Sequence, residues 1–210
     1  MIQSKLHPLR DLALACFAAF LFTWCAWLAS RPSAPLFDTA GRNAVHACSR
    51  PWLTLVMKAA TQVGGGWVLW PGGVAAAALL LRASRRREAA LFAIAVVGAN
   101  LLNESMKLFF HRPRPSPWYD YPLPPTYSFP SGHSFVSFCF FLCLAELCVR
   151  PEWPPAARFA LWIAAVCCTL SIGLSRVYLG VHYPTDVLGG YAAGVLWTTA
   201  IRAARHRWQP

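Results

Sequence analysis

Residues 12–29 form an apolar run of 18 residues, broken only by Thr23, that follows Lys5 and Arg10. Its length constrains the fold more than any other feature. A signal-peptide apolar core is about 7–15 residues, whereas a helix needs about 20 to cross roughly 30 Å of hydrocarbon. The run is therefore a first transmembrane helix. Further apolar runs cover residues 67–81, 89–110, 135–149, 159–174 and 187–201, which makes six expected spans. With 57% hydrophobic residues against 13% charged, the chain is neither a disordered polymer nor a disulfide-stapled secreted module. The expected class is an all-α integral membrane protein, a six-helix bundle forming one domain over residues 1–210.

A net charge of +11 invites a nucleic-acid reading, but the Lys and Arg residues are scattered between apolar runs and form no contiguous patch. They set orientation instead. Placing both termini in the cytoplasm leaves eleven of the nineteen there, among them Arg82, Arg85, Arg86 and Arg87. Eight remain outside, including Lys107, Arg112, Arg114 and Arg176, more than a topology rule normally leaves, so some of these must serve chemistry. Asn100, Asn103, Glu104 and Glu146 lie inside spans and should face protein rather than lipid.

Between the first two spans Trp52, Leu55, Val56, Ala59 and Val63 recur at helical spacing, which predicts a helix lying in the outer interface. Residues 112–130 contain seven prolines, so this segment must be an extended loop, with Trp118, Tyr119, Tyr121 and Tyr127 expected at headgroup depth. The eight cysteines include no C-x-x-C pair and read as small membrane-buried apolar residues, Cys48 alone lying in a polar stretch.

Three clusters fall on the non-cytoplasmic side of this topology. Lys107 is separated by six residues from Arg114 and Pro115; Pro130, Ser131, Gly132 and His133 precede the fourth span; Ser175 and Arg176 lead to His182 and Asp186 between the fifth and sixth. Arg114 and Arg176 offer planar forks for phosphate oxygens and Lys107 a point charge. Ser131 and Gly132 stand at a helix start, where backbone amides and the dipole favour an anion. The combination cradles a tetrahedral oxyanion. Asp186, four residues after His182, is spaced to hold its Nδ1–H and leave Nε2 as a nucleophile. His133 lacks such a partner and suits general acid catalysis. The nearby acids, Asp186, Asp120 and Glu104, form no carboxylate cluster for Mg²⁺, so no metal or other cofactor is expected. Glu104 is spaced to pair with Lys107 on one helix face. His7, His46 and His206 read as ordinary polar residues, and His111 and Arg112 as support for the neighbouring motif.

These residues resemble the type 2 phosphatidic acid phosphatase (PAP2) superfamily, which also includes undecaprenyl-diphosphate phosphatases, phosphatidylglycerophosphate phosphatases and vanadium haloperoxidases. The K-x6-R-P motif is Lys107 to Pro115, P-S-G-H is Pro130 to His133, and S-R-x5-H-x3-D is Ser175 to Asp186. The resemblance implies that His182 attacks phosphorus, Asp186 orients it and His133 protonates the leaving group. Lys107, Arg114, Ser131, Gly132 and Arg176 would bind phosphate. It further implies a lipid phosphate or diphosphate substrate drawn from the membrane, at the periplasmic face of a bacterial inner membrane. A lipid phosphotransferase or lipid A phosphatase would use the same residues. A haloperoxidase is disfavoured by the six spans, and a decayed lipid-binding protein by the intact motifs.

Overall fold

The computed structural model describes residues 8–149 and 152–207; Lys5, His7 and Arg150 lie outside the described residues, as do the side chains of Arg205, His206 and Arg207. All regular structure among the described residues is helical: α1 (Pro8–Ala29), α2 (Leu36–Ala47), α3 (Pro51–Val63), α4 (Gly66–Arg82), α5 (Arg86–Phe110), α6 (Gly132–Cys148), α7 (Pro155–Tyr178) and α8 (Pro184–Arg207). Local chemistry sets the ends. Prolines open α3, α7 and α8, where a missing N–H costs nothing. His111 closes α5 in the left-handed conformation at φ 49°, and Pro113 prevents the helix from resuming. Ser131 caps α6, its hydroxyl accepting from the Ser134 amide at 3.4 Å.

The bundle is turned inside out relative to a water-soluble one. Phe17 and Phe20 on α1 and Phe159 and Ile163 on α7 point outward, while Asn103, Lys107, Thr169 and Arg176 are buried. That arrangement suits a lipid surround, in which apolar side chains gain nothing by hiding and polar ones must meet one another. By length and composition α1, α5 and α7 can each cross a membrane, and α3 with α4, bent by 44° at the Gly64–Gly65 break, makes a fourth candidate. At 17 residues α6 is apolar but shorter.

Helix α6 is central, packing on α5, α7 and α8, and α1 lies along α8. Close approach at the top of α8 depends on Gly190, where a Cβ would stand 2.7 Å from the Ser131 carbonyl oxygen. The Ser131 amide in turn donates to the Asp186 carbonyl at 2.9 Å, which locks the start of α6 to the start of α8. Because the chain alternates direction, the ends of α1, α5 and α7 meet the starts of α6 and α8 at one pole, and Arg82, Arg86 and Arg158 gather at the other.

Two features go beyond the sequence expectations. The segment between the first spans holds two helices, and the stripe of Trp52, Leu55, Val56 and Val63 on α3 is exposed, while Met57 and Thr61 on the opposite side face the bundle. The helix that reaches the site is α2. The aromatic residues of the 112–130 loop are also not all free for headgroups. Trp118 stacks on His46 with ring centres 4.1 Å apart and Tyr119 on Tyr178 at 5.5 Å, clamping the loop onto α2 and α7. Gly180, at φ +78°, permits this, since a Cβ there would stand 2.8 Å from the Trp118 amide nitrogen.

Candidate active site

All eight residues singled out in the three motifs lie at one pole of the bundle. Lys107 ends α5, Arg114 lies in the following loop, Ser131 to His133 begin α6, Arg176 ends α7, His182 occupies the short α7–α8 link and Asp186 the first turn of α8. His133 sits within electrostatic reach of Arg176, His182, Lys107 and Arg114. Gly132 packs so tightly on α5 that a Cβ would be 2.8 Å from Asn103 Nδ2, which keeps the first amides of α6 close to Lys107. Those amides have no partner within the helix.

The imidazole of His182 is 2% exposed and held on both sides. Nδ1 lies 3.1 Å from Asp186 Oδ2, and Nε2 lies 2.9 Å from Arg114 Nη1. Because a guanidinium can only donate, Nε2 must accept, so the proton is on Nδ1 and is given to Asp186. Burial drives the ring's pKa down to about 3; Asp186 opposes that fall, and Arg114 and Arg176 add to it. The ring is therefore neutral near pH 7, with a lone pair on Nε2.

Around it stand three cations with different tethers. Lys107 Nζ is 2.8 Å from Glu104 Oε1, which also accepts from Asn103 Nδ2 at 2.9 Å. Arg114 donates to the Thr126 and Tyr127 carbonyls at 2.6 and 3.1 Å and to the Val181 carbonyl at 3.1 Å; burial, then the charge of Arg176, lowers its pKa to about 10. Arg176, 2% exposed, donates from Nη1 to Thr61 Oγ1 at 2.5 Å, and its buried Nε has no partner. An unsatisfied buried guanidinium N–H is costly.

Behind His182 lies a network the sequence did not disclose. Arg112, 4% exposed, donates from Nη1 to Asp186 Oδ1 at 2.5 Å and from Nη2 to Asp38 Oδ2 at 2.6 Å. Asp38, fully buried, comes from α2. Its Oδ1 accepts the Thr185 amide at 2.9 Å and its Oδ2 the Thr185 hydroxyl at 2.7 Å, so it caps α8 from another helix. Arg42, one turn further along α2, donates to the Ser116 carbonyl at 2.8 Å and lies over the Trp118 ring. Arg112 is thus more than local support for its motif. One signal in the sequence could have pointed to Asp38: a lone acid in an apolar membrane protein needs a buried cation, and few acids are present to share nineteen bases. Asp120 is exposed in the loop, and His111 packs its ring on Tyr127 at 4.6 Å.

The family model described as "PAP2 superfamily" matches residues 88–210, which contain all three motifs. The chain belongs to the PAP2 superfamily. Phosphatidylglycerophosphatase B of Bacillus subtilis is 35% identical over 165 residues, 76% of this chain and 78% of that one. A lipid A 1-phosphatase of Rhizobium johnstonii is 33% identical over 127 residues, of which this chain spans about half the length, 48%. The crystal structure of the transmembrane PAP2 type phosphatidylglycerolphosphate phosphatase from Bacillus subtilis superposes with a TM-score of 0.81 at 28% identity, over 95% of this chain and 97% of that one. The PAP2 match, the candidate spans and the polar interior make this a membrane protein of the lipid phosphatase family.

Proposed function

We propose that the protein is an integral membrane phosphatase that hydrolyses a lipid phosphate or diphosphate by way of a phosphohistidine on His182. The observation that carries this reading is the neutral, doubly held His182, with Nε2 free of a proton and cations on the same pole. Nε2 attacks phosphorus as the bond to the leaving oxygen breaks, and His133 gives that oxygen a proton. His133 then takes a proton from water, whose oxygen displaces Nε2 and releases phosphate. Asp186 steadies the imidazolium that forms in the first step. Lys107, Arg114, Arg176 and the Gly132 amide meet the charge on the phosphoryl oxygens, the interaction that dominates catalysis of phosphoryl transfer, while the Ser131 amide is taken by the Asp186 carbonyl. No step needs a metal, because both buried carboxylates already bind Arg112 or His182.

Phosphatidylglycerophosphate is the first substrate to try, since the Bacillus relative named for that activity matches most of both chains. Purified protein in detergent should release phosphate from it, in comparison with phosphatidate, undecaprenyl diphosphate and lipid A, and should do so undiminished in EDTA. A strict requirement for added Mg²⁺ would contradict the scheme, as would no release from any of the four.

Six spans follow when α1, the bent α3–α4 pair, α5, α6, α7 and α8 each cross the bilayer of a bacterial inner membrane, with α2 at the periplasmic surface. The arginine-rich pole then faces the cytoplasm and the site faces out. Reporter fusions at Arg86 and Tyr121 should give opposite signals; like signals from both would contradict this orientation.

A further inference from the structure

Asp38, Arg112, Asp186 and His182 stand in a row of alternating charge, each 4% exposed or less. The contacts run from Asp38 Oδ2 to Arg112 Nη2 at 2.6 Å, from Arg112 Nη1 to Asp186 Oδ1 at 2.5 Å, and from Asp186 Oδ2 to His182 Nδ1 at 3.1 Å. Asp186 is filled: Arg112 occupies one oxygen, and His182 and the Tyr183 amide, at 2.9 Å, occupy the other. Burial would lower the pKa of Arg112, but the two carboxylates outweigh it and the net direction is up, so the guanidinium stays charged.

Arg112 has two effects on the site. It fixes the Asp186 carboxylate in place, and it draws negative charge away from the oxygen that faces His182. Asp38 offsets the second effect without disturbing the first. With His182 neutral, the row carries one net negative charge. When Nε2 bonds to phosphorus the ring becomes cationic and the row becomes neutral. Without the charge of Asp38, the row would be neutral at rest and would have to become positive as the bond forms. It would do so in a low-dielectric site that already holds Arg114 and Arg176.

We infer that Asp38, reaching in from α2, is a positioning residue for the reaction: through Arg112 and Asp186 it sets the charge balance that lets His182 carry phosphorus. This rests on the reading of His182 as the nucleophile. A purely structural role would lie in the cap that Asp38 gives to Thr185 at the start of α8. Asp38→Asn separates the two roles, because the amide oxygen still accepts the Thr185 amide while the charge is gone.

The test compares kcat, KM and anion affinity for wild type, Asp38→Asn, Arg112→Gln and the double variant, with thermal unfolding in detergent as the folding control. Asp38→Asn should lower kcat by about 10–100-fold, the usual scale for a group that holds a reacting side chain, with KM nearly unchanged because Asp38 cannot touch substrate. Orthovanadate and orthophosphate, titrated calorimetrically, report the cause. Vanadate can bond to Nε2 and create the imidazolium, whereas phosphate binds only as an anion. The ratio of vanadate to phosphate affinity should fall in Asp38→Asn, hold or rise in Arg112→Gln, and return towards wild type in the double variant, which restores the net charge of the row. If Asp38→Asn does not fold, Arg112→Gln alone decides, since a fall in its ratio contradicts the charge balance. Wild-type kcat and an unchanged ratio in Asp38→Asn, or a double variant no better than that single one, would overturn the inference and leave the phosphatase reading standing. If neither anion binds the wild-type protein, the His182 reading itself falls and takes this inference with it.

Discussion

His182→Ala reduces turnover to background on every phosphate substrate, lipid or soluble. The variant has no nitrogen to take the phosphoryl group, and deletion of the nucleophile in a covalent mechanism typically costs about 10⁴-fold or more in kcat. The fold should survive. Asp186 keeps Arg112 on one oxygen and the Tyr183 amide on the other, and Asp38 still caps α8 at Thr185, so the start of α8 is held without the imidazole. Asp186→Asn should be a weaker version of the same defect, because Nε2 remains while the group that selects its tautomer is lost. Initial rates for both variants, with size exclusion in detergent as the folding control, check this. Substantial turnover by His182→Ala would remove His182 from the role of nucleophile.

His133→Ala produces a loss that depends on the leaving group. General acid catalysis is worth about 10²–10⁴-fold, and the benefit is greatest where the departing oxygen is most basic. Phosphatidate and phosphatidylglycerophosphate leave as poor alkoxides and should suffer nearly the whole loss. p-Nitrophenyl phosphate, and a diphosphate that releases a lipid monophosphate, should suffer much less. The measurement is kcat/KM for the variant and wild type on both classes. An equal loss on both would mean that His133 binds phosphate instead of donating a proton. If His133→Ala abolishes all turnover while His182→Ala retains it, the two roles must be exchanged.

The sequence disclosed the residues that gather at this pole far better than those packed behind them, and the reason is physical. Lys107, Arg114, Ser131, His133, Arg176, His182 and Asp186 belong to short motifs whose spacing is set by single helix ends or turns, so local chain geometry places them. His182, in the link before α8, and Asp186, in the first turn of α8, are four residues apart, and the structure has them in contact at 3.1 Å. Asp38 meets Arg112 across 74 residues of sequence and Thr185 across 147. No local periodicity can disclose such contacts. The apolar stripe on α3 was legible because its helical spacing is local. In water an apolar face marks the buried side of a helix, but in lipid the same face points outward, and Met57 and Thr61 proved to be the inward positions. The loop aromatics Trp118 and Tyr119 could have suited headgroups equally well, and only the positions of His46 and Tyr178 turned them inward.

The central claim, that phosphorus passes through a covalent bond to His182, has one direct measurement. Wild-type protein mixed with ³²P-labelled lipid phosphate is quenched within a single turnover, digested and fragmented by mass spectrometry under alkaline conditions that preserve phosphohistidine. The expected result is acid-labile label on the peptide containing His182, in substoichiometric but reproducible amount, and none in His182→Ala. Label on another residue, or full hydrolytic activity with no labelled protein at any quench time, would contradict it.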